Sequence, residues 1–132
     1  MSTAKIGLIA VSGVRVYNER LVRLGVTLPG FVERAKVIAS MPSLGLLTLA
    51  GVTPDDYDIT YLEHPEFDPA LLEPHTFDIV GISSFTAKSA VMYAIADFYR
   101  ARGTTVVLGG LHCTLLPEEA AGHADAVVAG EG

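Results

Sequence analysis

The sequence predicts a three-layer α/β/α fold, in which helices cover both faces of a five-stranded parallel sheet. Three observations lead to this prediction. Five short runs are rich in valine and isoleucine, apolar residues continue through several of them without clean alternation, and helical segments separate them. Strands that alternate with helices imply right-handed crossovers. The expected arrangement is the doubly wound, flavodoxin-like (Rossmann-like) one with strand order 2-1-3-4-5.

Each element has its own signal in the sequence. The predicted strands are KIGLIAV (5 to 11), DITYLE (58 to 63), DIVGISS (78 to 84), TTVVLGG (104 to 110) and DAVVAGEG (125 to 132). The clearest helix is 87 to 102, where one apolar stripe recurs at helical spacing. Thr86 is expected to cap its start, and Gly103 to stop it in the left-handed conformation. An earlier helix is expected from Ser43 to about Gly51, and a later one from Pro117.

The chain of 132 residues is long enough for one domain with a core, and we predict a single domain over residues 1 to 132. Residues 12 to 41 fit the alternating scheme poorly because this connection is too long. We therefore expect an insertion there, with a short helix near 31 to 39, over the ligand-binding end of the sheet.

Composition narrows the possible partners. The net charge of -6 argues against nucleic acid, whose phosphates are bound by clustered lysine and arginine. No apolar run is long enough for a membrane span and no secretory signal is visible, so we expect a soluble, cytoplasmic protein without a membrane partner. The single cysteine excludes an internal disulfide and a site built from several thiolates of this chain.

The candidate site consists of the residues that follow strands three, four and five. In doubly wound sheets, ligands bind beyond the carboxyl ends of the strands. Glycines there let a ligand approach the main chain, and hydroxyl groups can bond to it, although glycines also simply make tight turns. The candidate cofactor-binding residues are Ser83, Ser84, Phe85, Thr86, Gly109, Gly110, Leu111, His112, Gly130 and Glu131.

The pair His112 and Cys113 lies within this region, but we predict neither catalytic residues nor a protein metal site. Adjacent residues on an extended chain point to opposite sides, so the two are not expected to form a nucleophile and base. The other histidines show no metal-ligand spacing. Cys113 is expected to be a packed side chain, and His112 either contacts a ligand or is a partly exposed loop residue. Glycine fingerprints for nucleotides and a Walker lysine are absent.

Three segments together resemble a known family. VVLGGLHCTLLPEEAAGHADAVVAGEG (106 to 132), with DIVGISSFT (78 to 86) and PSLGLLTLAG (42 to 51), is similar to the N-terminal cobalamin-binding domain of radical S-adenosylmethionine enzymes. The resemblance implies that cobalamin lies over the carboxyl strand ends. Ser83 and Ser84, with Gly109 and Gly110, would border the groove for its nucleotide tail.

The same resemblance indicates how cobalt would be held and which parts are missing. Related cobalamin domains carry D-x-H-x-x-G after strand one, but this chain has Ala10, Val11, Ser12 and Gly13 there. Cobalamin would therefore bind without a histidine from that loop. The three-cysteine motif of the radical domain is also absent, which implies a fragment. The iron–sulfur cluster and S-adenosylmethionine would belong to a missing C-terminal domain, a partner in cis or in trans.

By resemblance, the function is that of a cobalamin-binding accessory domain of a radical methyltransferase-like enzyme, not catalytic alone. The alternative is a degenerate domain without corrin that acts as a docking module for a catalytic domain. A flavin-binding domain is less favoured, because no aromatic pair flanks the strand ends.

Overall fold

The described part of the protein forms a five-stranded parallel sheet with helices on both faces. The structure is a computed structural model that describes residues 3 to 11, 24 and 43 to 130. Its strands are β1 Lys5–Val11, β2 Asp58–Glu63, β3 Ile79–Ser84, β4 Thr105–Gly109 and β5 Ala126–Val127. Their order is β2-β1-β3-β4-β5 and every pairing is parallel. The predicted flavodoxin-like arrangement is confirmed, although β5 is much shorter than expected.

Five α-helices connect these strands in the described residues. They are α1 Leu44–Val52, α2 Pro69–Leu72, α3 Ser89–Arg100, α4 Leu111–Leu115 and α5 Pro117–Ala121. The sequence predicted α1, α3 and α5, but neither α2 nor α4. These two helices span four and five residues, which is too short for an apolar stripe to show helical periodicity. The predicted insertion at 12 to 41 and its helix lie, apart from Leu24, outside the described residues.

The start of α3 corrects one expectation. A 3₁₀ turn, Thr86–Lys88, precedes the helix, and no side chain caps either element. Thr86 therefore does not act as the N-cap, because its hydroxyl group lies 3.2 Å from Nδ1 of His112 instead. At the other end, Gly103 has a φ of 81° and supplies the predicted left-handed stop.

The larger core lies between the sheet and α3. The buried side chains on this face of the sheet are Ile9, Val11, Val80, Ile82, Val106 and Leu108, and α3 contributes Met92, Ile95, Ala96 and Tyr99. Fully burying a side chain such as Ile82 contributes about 1.5–3 kcal/mol. The opposite face has a smaller cluster, in which Leu8 and Ala10 pack on Leu46 of α1. The sheet is thus packed against helices on both of its faces.

Strand register brings the strand ends to one edge. Ser83 of β3 pairs with Gly109 of β4, and Ser84 pairs with Val11 of β1. Since the strands are parallel, their carboxyl ends form a single edge of the sheet. This edge is called the carboxyl edge below.

Candidate functional site

The segments that follow β3, β4 and β5 contact each other at the carboxyl edge. Thr114 of α4 donates a hydrogen bond to the carbonyl oxygen of Gly110 at 3.0 Å. The same hydroxyl oxygen accepts one from the backbone N–H of Gly130, also at 3.0 Å. Gly110 in turn packs against Ser83 and the backbone of Ser84. Ser84, Gly110 and Gly130 therefore lie on the same side of the molecule.

The two glycines after β4 have different roles. Gly110 has a φ of 93°, and a Cβ added to it would lie 2.5 Å from Oγ of Ser83. Only glycine fits there, because both the conformation and the neighbouring strand exclude a side chain. A Cβ on Gly109 would meet only Val128, at the ordinary contact distance of 3.8 Å. Gly109 is thus the more open position of the pair.

The hydroxyl groups at this edge also differ in whether they are free to bond to a ligand. The Ser84 side chain is buried and donates a hydrogen bond to the carbonyl oxygen of Phe85 at 3.0 Å. Its hydroxyl proton is therefore used within the protein. Ser83 is half-buried and Thr86 is exposed, so these two hydroxyl groups lie nearer to solvent.

The positive φ of Gly110 turns the chain directly into α4, which places both His112 and Cys113 on a helix. The premise that these two residues lie on an extended chain is therefore wrong, and so is the partly exposed loop position considered for His112. The His112 residue is only 2% exposed. Cys113 is fully buried, as predicted, and burial raises the pKa of its thiol. A buried thiol held protonated is a poor nucleophile.

His112 is the centre of a polar cluster, called the His112 cluster below. Its Nδ1 lies 3.2 Å from Oγ1 of Thr86, and its Nε2 lies 2.9 Å from Oε1 of Glu119 and 3.0 Å from the Tyr93 hydroxyl group. Tyr93 also donates to the same carboxylate oxygen of Glu119, at 2.7 Å. The cluster connects the segment after β3 with α3, α4 and α5.

The charges in this cluster are coupled. Hydrogen bonds from His112 and then from Tyr93 lower the pKa of Glu119. Burial, followed by the hydrogen bond to Glu119, raises the pKa of Tyr93 well above its ordinary value. The Glu119 carboxylate is therefore the stable negative charge beside the ring. His123 extends the cluster, since it stacks on Tyr93 at 4.1 Å between ring centroids and bonds to Asp97 at 2.9 Å.

Sequence reasoning missed Tyr93 and Glu119 as members of the site. Tyr93 lies within α3, which the sequence predicts from its apolar stripe alone. Glu119 lies in the first turn of α5, where an acidic residue is favourable for the helix itself. Neither position carries a local signal for a contact with His112. Glu131, one of the candidate site residues, lies outside the described residues.

Apolar side chains are exposed beside the same edge. Phe85 is 46% exposed, and on α4 Leu111 and Leu115 are 52% and 63% exposed. Leu111 and Leu115 are four residues apart on one helix, so they lie on the same face of α4. Exposed apolar groups next to an open backbone are typical of a ligand or protein contact.

A second buried histidine follows β2 at this edge. The backbone N–H of His64 donates to the carbonyl oxygen of Ala10 at 3.0 Å, which extends the pairing of β1 and β2. Its ring is buried, and Nε2 has no hydrogen-bond partner among the described residues. Burial, followed by the charge of His75, lowers the pKa of His64. The neutral ring is therefore the form that the fold favours.

Other features do not compete with the carboxyl edge as a site. Two shallow depressions lie at the amino ends of the strands, one beside Thr105 and Asp125 and the other beside Lys5 and Asp58. Their lining is mostly polar and open, unlike that of a cofactor pocket. Within residues 3 to 11 and 43 to 130, no group of three His, Cys, Asp or Glu side chains is arranged to hold a metal ion. In the same part of the chain, no helix is both long and apolar enough to cross a bilayer.

A parallel doubly wound sheet with small residues at its carboxyl edge defines a ligand-binding α/β domain. Comparison with protein families identifies which one. Residues 32 to 132 match the family described as the B12 binding domain. The chain therefore belongs to the B12-binding domain family, as the resemblance of its sequence motifs had indicated.

Two curated relatives are methyltransferases of Chlorobaculum tepidum. Bacteriochlorophyllide d C-8(2)-methyltransferase is 45% identical over 89 residues, which cover 67% of this chain and 19% of that protein. Bacteriochlorophyllide d C-12(1)-methyltransferase is 35% identical over 92 residues, or 70% of this chain and 20% of that protein. The matched region thus spans about a fifth of each relative. No solved structure matches the chain.

Proposed function

We propose that this chain is the cobalamin-binding accessory domain of a radical S-adenosylmethionine methyltransferase, and that the corrin lies on the carboxyl edge. One observation carries the proposal: in a B12-binding domain, the tips after β3, β4 and β5 meet at one edge and leave the Gly109 backbone open. The whole protein would transfer a methyl group, as the names of the two relatives indicate for those enzymes. The iron–sulfur cluster and S-adenosylmethionine would be bound by another domain.

The residues at the edge suit a large planar ring with polar arms. Added Cβ atoms at Gly109 and Gly130 would cause no close contact with described atoms, so a ligand can approach the backbone at both glycines. The hydroxyl groups of Ser83 and Thr86 can hydrogen-bond to amide or phosphate groups. Leu111 and Leu115 can cover an apolar surface of the ring.

Cobalamin, when bound, supplies the cobalt that carries a methyl group, and this chain binds and orients it. The proposal includes no histidine ligand from the loop after β1, because Ala10, Val11, Ser12 and Gly13 stand where D-x-H-x-x-G would be. None of the described side chains needs to act as an acid, base or nucleophile for this role. The site residues hold the cofactor while the chemistry occurs between cofactors.

The test is a titration of the purified chain with hydroxocobalamin, followed by absorbance and by retention of corrin through gel filtration. We expect a spectral shift and retained corrin for the unmodified chain. Gly109→Leu should weaken binding at least about tenfold, since the side chain would project from the open backbone position into the space for the ligand. Gly51→Leu is the matched control, because Gly51 also has free space but lies at the far end of α1.

The outcomes separate the possibilities. Absence of any spectral shift with the unmodified, folded chain would refute corrin binding. Equal affinity of Gly109→Leu and the unmodified chain would refute this position of the ligand. Circular dichroism should show that both variants retain the fold.

A specific observation also favours docking to a catalytic domain. Leu46 and Ala50 of α1 face the sheet, but the side of α1 facing away from it is also apolar. On that side Leu44 and Val52 are 71% and 73% exposed, and Leu47 and Leu49 are also exposed. Thr48 is the one polar residue of α1, and a helix that is apolar on nearly every side is normally buried within a larger structure. We propose that this surface packs against the catalytic domain, in cis or in trans, whether or not corrin is bound.

Replacing Leu44 and Val52 together by glutamate tests this role. The isolated chain should self-associate through exposed leucines, and the double variant should be monomeric at the same concentration by analytical ultracentrifugation. Thr48→Glu is the control, because it adds a charge to the exposed side of the same helix without removing an apolar group. A monomeric unmodified chain, or equal association of all three proteins, would argue against an apolar docking surface on α1.

A further inference from the structure

We propose that His112 is a positioning residue that sets the hydrogen-bond polarity of the Thr86 hydroxyl group toward the cofactor. The proposal rests on the proposed function, because it assumes that corrin lies on the carboxyl edge. Thr86 is exposed there, whereas His112 is only 2% exposed. A change at the buried ring can therefore reach a ligand through the Thr86 hydroxyl group.

Proton positions on the inner side of the ring follow from the acceptors around it. The Tyr93 hydroxyl group has one proton and lies 2.7 Å from Oε1 of Glu119, which as a carboxylate can only accept. Tyr93 therefore donates to Glu119. Nε2 of His112 then faces two acceptor oxygens, at 2.9 and 3.0 Å. Nε2 must carry a proton whether the ring is neutral or charged.

Nδ1, the ring nitrogen nearer to Thr86, is then the one that can gain or lose a proton. In the neutral ring Nδ1 has no proton, so the Thr86 hydroxyl group donates to it across 3.2 Å and offers a ligand only lone pairs. In the imidazolium form Nδ1–H donates to Oγ1 of Thr86. The Thr86 proton is then released from this contact and can be donated to a ligand. One hydroxyl group thus acts as an acceptor or as a donor, according to the protonation of His112.

The ring is in contact with ionisable groups from the helices packed around it. The ionisable groups in contact with it are Glu119 from α5 and Tyr93 from α3, and Cys113 is the next residue on its own helix. Beyond Tyr93 lie His123 and its partner Asp97. Lys88, two residues after Thr86, is paired with Glu66 and the carbonyl oxygen of Pro65 instead. Among these groups, the Glu119 carboxylate is the charge in direct hydrogen-bond contact with the ring.

This arrangement links affinity to pH. The nucleotide tail of cobalamin carries a phosphate, which only accepts hydrogen bonds. A donating Thr86 matches that phosphate, so binding should be accompanied by proton uptake at His112. We therefore expect cobalamin to bind more tightly in acidic than in alkaline solution, compared between pH 8 and pH 5.

The first test requires no corrin. In the free protein labelled with ¹⁵N-histidine, NMR of the His112 ring at high pH should show the neutral tautomer with the proton on Nε2. The His112→Asn variant identifies the signal by its loss. A neutral ring protonated on Nδ1 would overturn the proposal, because Thr86 could then not be the donor.

The second test is the affinity for cyanocobalamin across this pH range, measured by equilibrium dialysis. The unmodified chain should bind about fivefold more tightly at the acid end, the size expected for one hydrogen bond. His112→Asn keeps an amide near Thr86 but has no group that changes its charge, and Thr86→Val has no hydroxyl group. For both variants the affinity for cyanocobalamin should therefore not depend on pH. His75→Gln is the control, since His75 lies at the amino ends of the strands, and it should keep the slope.

Cobinamide, which lacks the phosphate-bearing tail, should show no slope in the unmodified chain. Measurable binding with a flat profile, or an equal slope for cobinamide, would overturn the proposal while leaving corrin binding intact. Absence of any corrin binding would refute the proposed function itself, and the NMR result would still decide the proton positions in the His112 cluster.

Discussion

Gly110 and Ser83 approach each other so closely that a Cβ added to the glycine would lie 2.5 Å from the serine Oγ. The glycine also has a φ of 93°, which L side chains rarely adopt. The fold itself therefore requires this glycine, independently of any ligand. Its neighbour Gly109 is under neither constraint, so substitutions at the two positions report on different properties.

Gly110→Ala should destabilise the chain more than Gly103→Ala. Both glycines have a positive φ, which costs an L residue about 1–2 kcal/mol, but only Gly110 also has a neighbour in the way. The difference in free energy of unfolding, measured by urea denaturation, gives the cost of the clash. Adding Ser83→Gly should recover part of that difference for Gly110→Ala alone, because the Ser84 carbonyl oxygen would still lie 3.2 Å from the added Cβ. Equal losses at the two glycines would show that Ser83 moves aside without cost.

Val106→Asp and Val107→Asp should differ sharply, although the residues are adjacent. Val106 is fully buried in the core against α3, while Val107 is half-buried on the opposite face of β4. A carboxylate without a partner in the core costs several kcal/mol, so Val106→Asp should prevent folding. Val107→Asp should remain folded by circular dichroism, with a lower urea midpoint. Equal behaviour would mean that both faces of β4 are covered to the same degree.

His64→Leu should reduce the loss of stability in acid. Since burial lowers the pKa of His64 in the folded chain, the unfolded chain binds a proton first as the pH falls below about 6.5. The contribution of the neutral ring is thus present above that pH and lost below it. Urea denaturation at pH 7.5 and pH 5 should show a smaller decrease for His64→Leu than for the unmodified chain.

At pH 7.5, His64→Leu should be nearly neutral or stabilising, because it removes a buried nitrogen that has no partner among the described residues. His123→Gln is the control for the general effect of losing a histidine, because His123 does not contribute to the shift of the His64 pKa. An unchanged acid dependence in His64→Leu would mean that the ring gains a proton freely in the folded state.

Cys113 should resist thiol reagents in the native state. The side chain is fully buried and burial raises its pKa, so little thiolate is available. Reaction with Ellman's reagent should be slow for the native chain and rapid in urea, with one equivalent released. Rapid reaction of the folded chain would indicate that α4 opens readily from the sheet.

The sequence by itself determined the layered parallel fold and the strand order, and it predicts a candidate site at the carboxyl edge. These properties depend on apolar runs, helical periodicity and the small residues after each strand, all of which are local patterns. The clearest elements, β1, β3 and α3, were predicted for that reason. The B12-binding family was also recognisable from local strings around Ser83 and Gly110.

Only the tertiary structure decided which residues at the carboxyl edge contact each other. The contact between Thr86 and His112 joins residues 26 positions apart, and that between Tyr93 and Glu119 does the same. No spacing in the sequence encodes such contacts, because they depend on how α3, α4 and α5 pack on one sheet. The brief α4 could not be seen either, since five residues are too few for a periodic signal. Because His112 lies on this helix, it is the buried centre of a polar cluster and not a partly exposed loop residue.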